Sequence, residues 1–161
     1  MRGERGEVRE ERTEGRFDVT YSEWEAGVPD AIKNDPVWEV EAYRLGLFLS
    51  DLAWADTTKL LRDSRGRCIA DQMFRAVSNI SSNVTEGYSR STGADRARFL
   101  EYALGSAREG RDWYYKSRNI LKPNIVEHRI SISTQIVALL VAMVRNERRR
   151  RRINDRKTDE A

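Results

Sequence analysis

The chain has 161 residues, of which 39% are hydrophobic and 34% are charged, and its formal net charge at neutral pH is +3. This length suits one domain with tails, and the high charged fraction favours a helical bundle with charged ends. The only cysteine, Cys68, excludes an internal disulfide and favours a reducing cytoplasm. The longest apolar run, from Ile136 to Val144, has nine residues, so we expect no membrane span, and we expect no signal peptide at the start.

The first 35 residues are predicted to form a disordered or loosely packed segment before the main domain. Residues 1–16 are almost entirely Arg, Glu and Gly, which cannot bury the apolar surface that folding requires. Residues 1–36 hold six basic and ten acidic side chains, whereas residues 145–161 hold eight basic and four acidic ones. The acidic start and the basic end of the chain would therefore attract each other, although salt screens this attraction beyond about 8 Å.

Two helices are predicted in the first half of the main domain. The first runs from Pro36 to about Leu61, with Asp35 as its N-cap and the proline at the first helical position, where a missing N–H costs nothing. The second runs from about Gly66 to Arg90 after a short turn. Its apolar residues recur at helical steps of three and four, which places them on one face: Ile69, Met73, Val77, Ile80 and Val84.

The third helix is predicted to follow the turn at residues 91–93. Thr92 and Asp95 have the spacing of a capping box, in which side chains satisfy free backbone N–H groups. The helix continues to about Leu121 and is stopped by Pro123. It carries small residues that permit a close approach of a neighbouring helix: Ala103, Ser106, Ala107 and Gly110.

The fourth helix is predicted from Asn124, which would form a second capping box with Glu127, to about Arg151. Its apolar stripe is wider than one face of a small bundle needs, so we expect part of it to be buried against another subunit. The chain is therefore predicted to be all-α, with an up-down-up-down four-helix bundle at residues 36–152. Disordered charged tails are expected on both sides of it, the second at residues 153–161.

The second and third helices share a pattern of small, polar and glycine residues. The pattern consists of Arg75, Ala76, Ser78, Asn83, Glu86 and Gly87 in the second helix, and of Phe99, Ala103, Gly105, Ser106 and Glu109 in the third. It resembles the signature of the four-helix-bundle family of 23S rRNA intervening-sequence proteins, and the resemblance extends from about Trp38 to Val144. Asn79 and Thr85 depart from the signature, in which Ile and Ala are usual.

The resemblance carries expectations about assembly and partners. It implies a four-helix bundle that forms ring-like homopentamers. It also implies a similarity in shape to the accessory variability proteins of diversity-generating retroelements, which bind nucleic acid and a reverse transcriptase. A polymerase of this kind or another ribonucleoprotein is therefore among the expected partners.

Four polar residues of the second and third helices form a candidate site: Asn79, Asn83, Glu86 and Glu109. They would make either a polar pocket for acid–base chemistry or a hydrogen-bond network between helices that fixes their register, and we favour the network. The only histidine, His128, directly follows Glu127, so the Glu-x-x-His spacing of di-metal bundles is absent. We predict no catalytic residue, no metal and no cofactor.

Arginines are concentrated around the turn between the second and third helices and at the end of the fourth. Arg pairs with phosphate groups through two parallel hydrogen bonds, so these clusters predict binding to a nucleic-acid backbone. The alternative is a solvated tail that only aids solubility. No base-reading motif is present, so binding to RNA or DNA would depend on shape and charge. The predicted nucleic-acid-binding residues are Arg90, Arg96, Arg98, Arg145, Arg148, Arg149, Arg150, Arg151 and Arg152.

Three consecutive aromatic residues, Trp113, Tyr114 and Tyr115, lie on the third helix. Successive side chains on a helix point about 100° apart, so the three cannot all face one core. At least one must be exposed or lie at an interface. We favour subunit packing there, and stacking on single-stranded bases is the alternative.

The sequence thus predicts a non-enzymatic, oligomeric helical bundle in the cytoplasm that binds RNA or a ribonucleoprotein through basic surfaces. The alternative is an interaction scaffold or accessory subunit, for example of a reverse transcriptase, that does not bind nucleic acid directly. An enzyme is disfavoured because the chain shows no nucleophile–base pair, phosphate loop or metal-ligand spacing.

Overall fold

The computed structural model describes the backbone of residues 19–159 and the side chains of residues 19–150 and 153. Four long helices form the body of the protein, and two short ones precede them. In chain order these are α1 (Tyr21–Ala26), α2 (Asp30–Lys33), α3 (Glu41–Leu60), α4 (Gly66–Tyr88), α5 (Gly93–Lys116) and α6 (Pro123–Asp159). Short 3-10 helices lie before α3, at Pro36–Glu39, and after α5, at Ser117–Asn119. The described residues contain no β-strand, and the predicted all-α class is confirmed.

Short turns join the four long helices, so consecutive helices run antiparallel. The most extensive contacts are those of α4 with α5 and of α5 with α6, followed by those of α3 with α4. The contact of α3 with α6 is smaller. The predicted up-down-up-down four-helix bundle is confirmed.

Apolar side chains from all four long helices fill the core. The stripe predicted on the second helix points inward, since Met73, Val77, Ile80 and Val84 of α4 are buried and Ile69 is partly buried. Opposite them, α6 contributes four buried residues at helical spacing: Ile132, Ile136, Leu140 and Val144.

Two glycines allow α4 and α5 to approach each other closely. A Cβ atom at Gly110 would lie 3.0 Å from Cγ2 of Val77, and one at Gly87 would lie 3.1 Å from Cβ of Phe99. Real Cβ contacts are rarely this short, so an alanine at either position would require its neighbour to move by a few tenths of an ångström. The close packing predicted for the third helix is therefore present at Gly110.

The first predicted helix is interrupted near its start. Asp35 caps its beginning as predicted, because its Oδ1 accepts a hydrogen bond from the N–H of Val37 at 2.9 Å. The 3-10 helix that follows ends at Glu39. The backbone of the next residue, Val40, is extended (φ −80°, ψ 106°), and α3 begins after it. Val37 and Trp38 are buried in this arrangement.

The last helix begins one residue before the predicted N-cap. Pro123 occupies its first position, where the N–H that proline lacks would have no helical partner. Asn124 therefore lies inside the helix, and no hydrogen bond of a capping box joins it to Glu127 among the described contacts. Pro123 therefore begins α6, whereas it was predicted to end the third helix.

The last helix also ends later than predicted, at Asp159. Residues 145–159 contain neither Pro nor Gly, so no residue of the kinds that usually end a helix interrupts them. The predicted tail at residues 153–161 has a helical backbone over residues 153–159. The disorder predicted for residues 1–16 concerns a part of the chain outside the described residues.

Residues 19–35 fold back onto α3. The indole ring of Trp24 on α1 lies against Trp38 and Phe48, with ring centroids 6.2 Å and 5.2 Å apart. Its Nε1–H donates to Oδ2 of Asp51 on α3 at 2.7 Å. Tyr21 also meets Phe48, with ring centroids 5.4 Å apart, so two aromatic residues of α1 attach this segment to the bundle.

One stretch of α6, Pro123–Arg150, is long and apolar enough to cross a membrane by length and composition, and it is the one such helix among the described residues. Only 33% of its apolar window is buried within the chain. The buried part is packed in the bundle core, as in the core helix of a helical bundle. On the remaining flank of α6, the larger apolar residues are only partly buried by the described part of the chain: Val137, Leu139, Val141 and Met143.

Candidate nucleic-acid interface

Arginines from two distant parts of the sequence meet at one end of the bundle. Because α5 and α6 are antiparallel, the C-terminal part of α6 lies beside the first turns of α5. Nε of Arg96 lies 3.5 Å from Oε2 of Glu147, and Arg148 forms an ion pair with Glu101. We call this end of the molecule the basic end; its arginines with described side chains are Arg90, Arg96, Arg98, Arg145, Arg148, Arg149 and Arg150.

Arg96 holds the turn between α4 and α5. Its Nη1 donates to the carbonyl oxygens of Arg90, at 2.9 Å, and Ser91, at 3.4 Å, just beyond the C-terminal end of α4. Thr92 caps α5 as predicted, since its Oγ1 accepts a hydrogen bond from the N–H of Asp95 at 3.1 Å. Side chains of the turn itself therefore fix the backbone on which the basic end is built.

The other arginines of the basic end are exposed. Arg145 and Arg149 form no ion pair with any side chain that the structure describes, and the side chains of Arg151 and Arg152 lie outside that part. Three more pair with carboxylates on their own helix: Arg90 with Glu86, Arg98 with Asp95 at 3.2 Å, and Arg150 with Glu147 at 3.5 Å. Exposed pairs of this kind contribute little to stability, and a guanidinium has donors to spare for a second acceptor.

The four polar residues predicted to bridge helices make their contacts within their own helices. Nδ2 of Asn83 donates to the backbone oxygen of Asn79 at 2.8 Å, and Glu86 pairs with an arginine of the basic end. Oε1 of Glu109 accepts a hydrogen bond from Nε1 of Trp113 at 3.3 Å. Asn83 is partly buried and the other three are exposed. The predicted network between helices is therefore not formed, because this stripe is rotated away from the apolar face that meets the neighbouring helices.

The three consecutive aromatic residues of α5 point in different directions, as their spacing predicts. Tyr114 is fully buried, Trp113 is partly buried, and Tyr115 is 55% exposed. The guanidinium of Arg118 lies 4.2 Å from the centroid of the Tyr115 ring. This group lies at the opposite end of α5 from the basic end.

A buried ion pair that the sequence analysis did not identify lies in the bundle core. Nε of Arg129 on α6 donates to Oδ2 of Asp56 on α3 at 2.9 Å, and both side chains are almost completely buried. The hydroxyl of Tyr114 on α5 donates to the same oxygen at 3.2 Å. Burial, followed by the charge of Asp56, raises the pKa of Tyr114 well above its usual value.

His128 completes this cluster at its outer side. Nη1 of Arg129 donates to Nδ1 of His128 at 2.5 Å, which requires an unprotonated Nδ1. Burial and the charge of Arg129 lower the pKa of His128, so the ring is neutral at pH 7. Within the described part of the chain, no group of three or more His, Cys, Asp or Glu is placed to hold a metal ion. Asp56, Arg129 and Tyr114 join three helices and are buried, whereas the side chain of His128 at the outer side of the cluster is exposed.

The fold and this pattern of residues agree with one protein family. The family model described as 23S rRNA-intervening sequence protein matches residues 39–142. The chain belongs to this family. Its fold is also similar to the crystal structure of a protein of unknown function from the S23 ribosomal protein family of Bacteroides thetaiotaomicron, with a TM-score of 0.61 and 20% sequence identity. That similarity covers 64% of this chain and 97% of the other. No curated protein matches the chain.

The part that matches the 23S rRNA-intervening sequence family contains only some of the basic end. It includes α3 to α5 and α6 as far as residue 142. Arg90, Arg96 and Arg98 lie within it, whereas the arginines from residue 145 onward lie beyond it. The basic end of this chain therefore combines a turn of the family's bundle with a helical extension outside the match.

Proposed function

We propose that the protein is a non-enzymatic, oligomeric helical bundle that binds RNA, free or within a ribonucleoprotein, through its basic end. The observation that carries this proposal is the contact of Arg96 with Glu147 and of Arg148 with Glu101, which brings two separate arginine clusters onto one surface. Arginine is well suited to phosphate because its planar guanidinium donates two parallel hydrogen bonds. The description of the family names 23S rRNA, and we take RNA as the ligand.

The charge of the basic end supports phosphate binding despite its ion pairs. Seven arginines with described side chains face four carboxylates there, which leaves a net positive charge. Arg145 and Arg149 are exposed and without a described carboxylate partner. The carboxylates hold the paired guanidinium groups in place, and phosphate groups compete for their remaining donors.

Assembly into a ring would bring several basic ends together. We propose a homo-oligomer, with a pentamer favoured, in the cytoplasm. The apolar flank of α6 supports this, because Val137, Val141 and Met143 are only partly buried in the single chain. Another subunit packed on this flank would complete the burial of these side chains. Copies arranged around an axis add their electric fields, which strengthens attraction of a polyanion.

A second candidate function is an interaction scaffold or accessory subunit, for example of a reverse transcriptase, without direct contact to nucleic acid. The observation that favours it is Trp54 on α3, whose side chain is 65% exposed and meets Phe74 of α4 with ring centroids 5.6 Å apart. Exposed tryptophans are common anchors of protein–protein interfaces. This candidate predicts a partner bound with little dependence on salt.

The proposal is tested by titrating the protein into a labelled RNA at several salt concentrations. The wild type should bind with an affinity that falls linearly with salt on logarithmic axes, because each neutralised phosphate releases counterions. Arg145→Gln with Arg149→Gln should weaken binding and flatten this dependence. A matched control, Arg62→Gln with Arg67→Gln, removes two exposed arginines at the opposite end of α4. Equal losses in the two variants, or no binding by the wild type at low salt, would contradict the proposal.

A further inference from the structure

We infer, on the basis of the proposed RNA binding, that Tyr102 forms a stacking site for an unpaired base at the basic end, with Arg98 and Arg148 beside it to hold the flanking phosphates. The ligand class is therefore a single-stranded segment or loop of RNA. Tyr102 is an exposed aromatic residue of the basic end, on the part of α5 that meets the C-terminal part of α6.

The Tyr102 ring is exposed but held in place. Its side chain is 53% exposed, and its ring meets the ring of Phe99 at right angles, with centroids 5.7 Å apart. Phe99 is itself fixed, since Arg90 and Arg98 lie over it at 4.7 Å and 5.7 Å from its centroid. No described cation lies over the Tyr102 ring. The ring is therefore oriented by a packed neighbour while part of its surface stays free.

Arginines of both clusters lie next to this part of α5. Arg98 is four residues before Tyr102 and thus one helical turn away on the same face of α5. Arg148 reaches α5 from α6 and pairs with Glu101, the residue next to Tyr102. Proteins that bind single strands combine such aromatic platforms with a basic track for the backbone.

The arrangement selects unpaired bases over duplex. A base within a duplex is stacked on both faces and cannot meet a protein ring, whereas a base in a loop or a single strand can. Duplex RNA would still contact the arginines through its phosphates. Removal of the Tyr102 ring should therefore affect the two forms of RNA differently.

Tyr115 provides a matched control on the same helix. It is 55% exposed, almost the same as Tyr102, but lies 13 positions further along α5, a rise of about 20 Å. One face of its ring is occupied by Arg118. Truncation of this side chain removes a similar exposed ring far from the basic end.

The experiment compares Tyr102→Ala, Tyr102→Phe and Tyr115→Ala in binding to a labelled single-stranded RNA of about 12 nucleotides and to a duplex of the same length. Tyr102→Ala should weaken binding to the single strand by about 5-fold to 100-fold and binding to the duplex by less than about 2-fold. Tyr102→Phe keeps the ring and should stay within about 2-fold of the wild type, as should Tyr115→Ala. Thermal unfolding and oligomeric mass verify that each variant is folded and assembled.

The outcomes distinguish failure of the stacking site from failure of the proposed RNA binding. If the arginine variants weaken binding while Tyr102→Ala behaves like Tyr115→Ala, the stacking site is overturned and the proposed function stands. If the wild type binds neither form of RNA, the proposed function fails as well. If Tyr102→Ala changes the oligomeric mass, the ring is a subunit contact and the stacking site is again overturned.

Discussion

Asp56 and Arg129 are 73 positions apart in the sequence and form an ion pair inside the bundle, with 2.9 Å between Oδ2 and Nε. Because Tyr114 donates to the same carboxylate oxygen, one buried charge ties α3, α5 and α6 together. Buried ion pairs cost desolvation energy, so their net contribution to stability is small even when their geometry is good. Their effect is to penalise every packing of the helices that separates the two charges.

Removal of one partner of this pair should destabilise the bundle strongly. Asp56→Ala leaves the guanidinium of Arg129 buried without its counter-charge, and we expect a loss of about 3–5 kcal/mol in the free energy of unfolding. Urea denaturation followed by circular dichroism measures this loss. The double variant Asp56→Leu with Arg129→Met removes both charges and should be more stable than the single variant. A loss below about 1 kcal/mol in Asp56→Ala would contradict the burial of this charge.

Protonation of His128 should make the free energy of unfolding depend on pH. Burial and Arg129 lower its pKa in the folded protein below the ordinary value of 6.5, so the unfolded chain takes up a proton more readily. The stability that neutral His128 contributes is complete above the pKa of this residue in the unfolded chain. It is lost as the pH falls through the lower pKa of the folded protein. His128→Gln keeps an acceptor for Arg129 and cannot titrate, so it should lose less stability than the wild type between about pH 7.5 and pH 5. Urea denaturation at the two pH values provides the comparison, and an equal loss would contradict it.

The sequence was sufficient to predict the four-helix bundle, because apolar spacing on each long helix identifies its inner face. The meeting of the two arginine clusters also follows from the topology, since the end of α6 must lie beside the start of α5. The topology does not predict which arginine pairs with which carboxylate. A pair such as Arg148 with Glu101 depends on the relative height and rotation of α5 and α6. Those are set by the packing of side chains between α5 and α6, which the spacing of residues along each helix does not give.

The buried ion pair could have been found from the sequence. Asp56 follows Leu52 by four positions and precedes Leu60 by four, so it lies on the apolar stripe of α3. Arg129 lies on the stripe of α6, four positions after Ile125. Opposite charges on two apolar stripes indicate a buried pair, because either charge alone would be too costly to bury. The polar stripe of α4 was instead predicted to form a network between helices. Amides and hydroxyls also occur on exposed helix faces, so such a stripe does not by itself indicate burial.

Two glycines should respond in opposite directions to substitution by alanine. A Cβ at Gly66 would lie 2.2 Å from the carbonyl oxygen of Leu60, so Gly66→Ala must shift the backbone and should cost about 1–3 kcal/mol. Nothing lies within 4 Å of a Cβ at Gly105 inside α5, and Gly105→Ala should stabilise the protein by about 0.5–1 kcal/mol. Thermal unfolding of both variants tests the pair. A rise in the unfolding temperature of Gly66→Ala would contradict the close contact at the start of α4.

Trp24 should control the attachment of the N-terminal segment. Trp24→Ala removes the ring that packs on Phe48 and the hydrogen bond to Asp51, and it should lower the free energy of local opening by about 2–3 kcal/mol. Trypsin cleavage after Lys33 should then be faster by a factor of about ten or more, with the bundle left intact. Trp54→Ala removes an exposed tryptophan and serves as the control. Equal cleavage rates in the two variants would show that Trp24 does not hold the segment.

The central claim, an oligomer that carries RNA on its basic end, is tested most directly by the light-scattering mass of the purified protein. The mass is measured with and without RNA, at low and at high salt. We expect a species of about five chain masses that gains the mass of RNA at low salt and loses it at high salt. A monomer whose mass is unchanged by RNA at low salt would contradict both the assembly and the RNA binding.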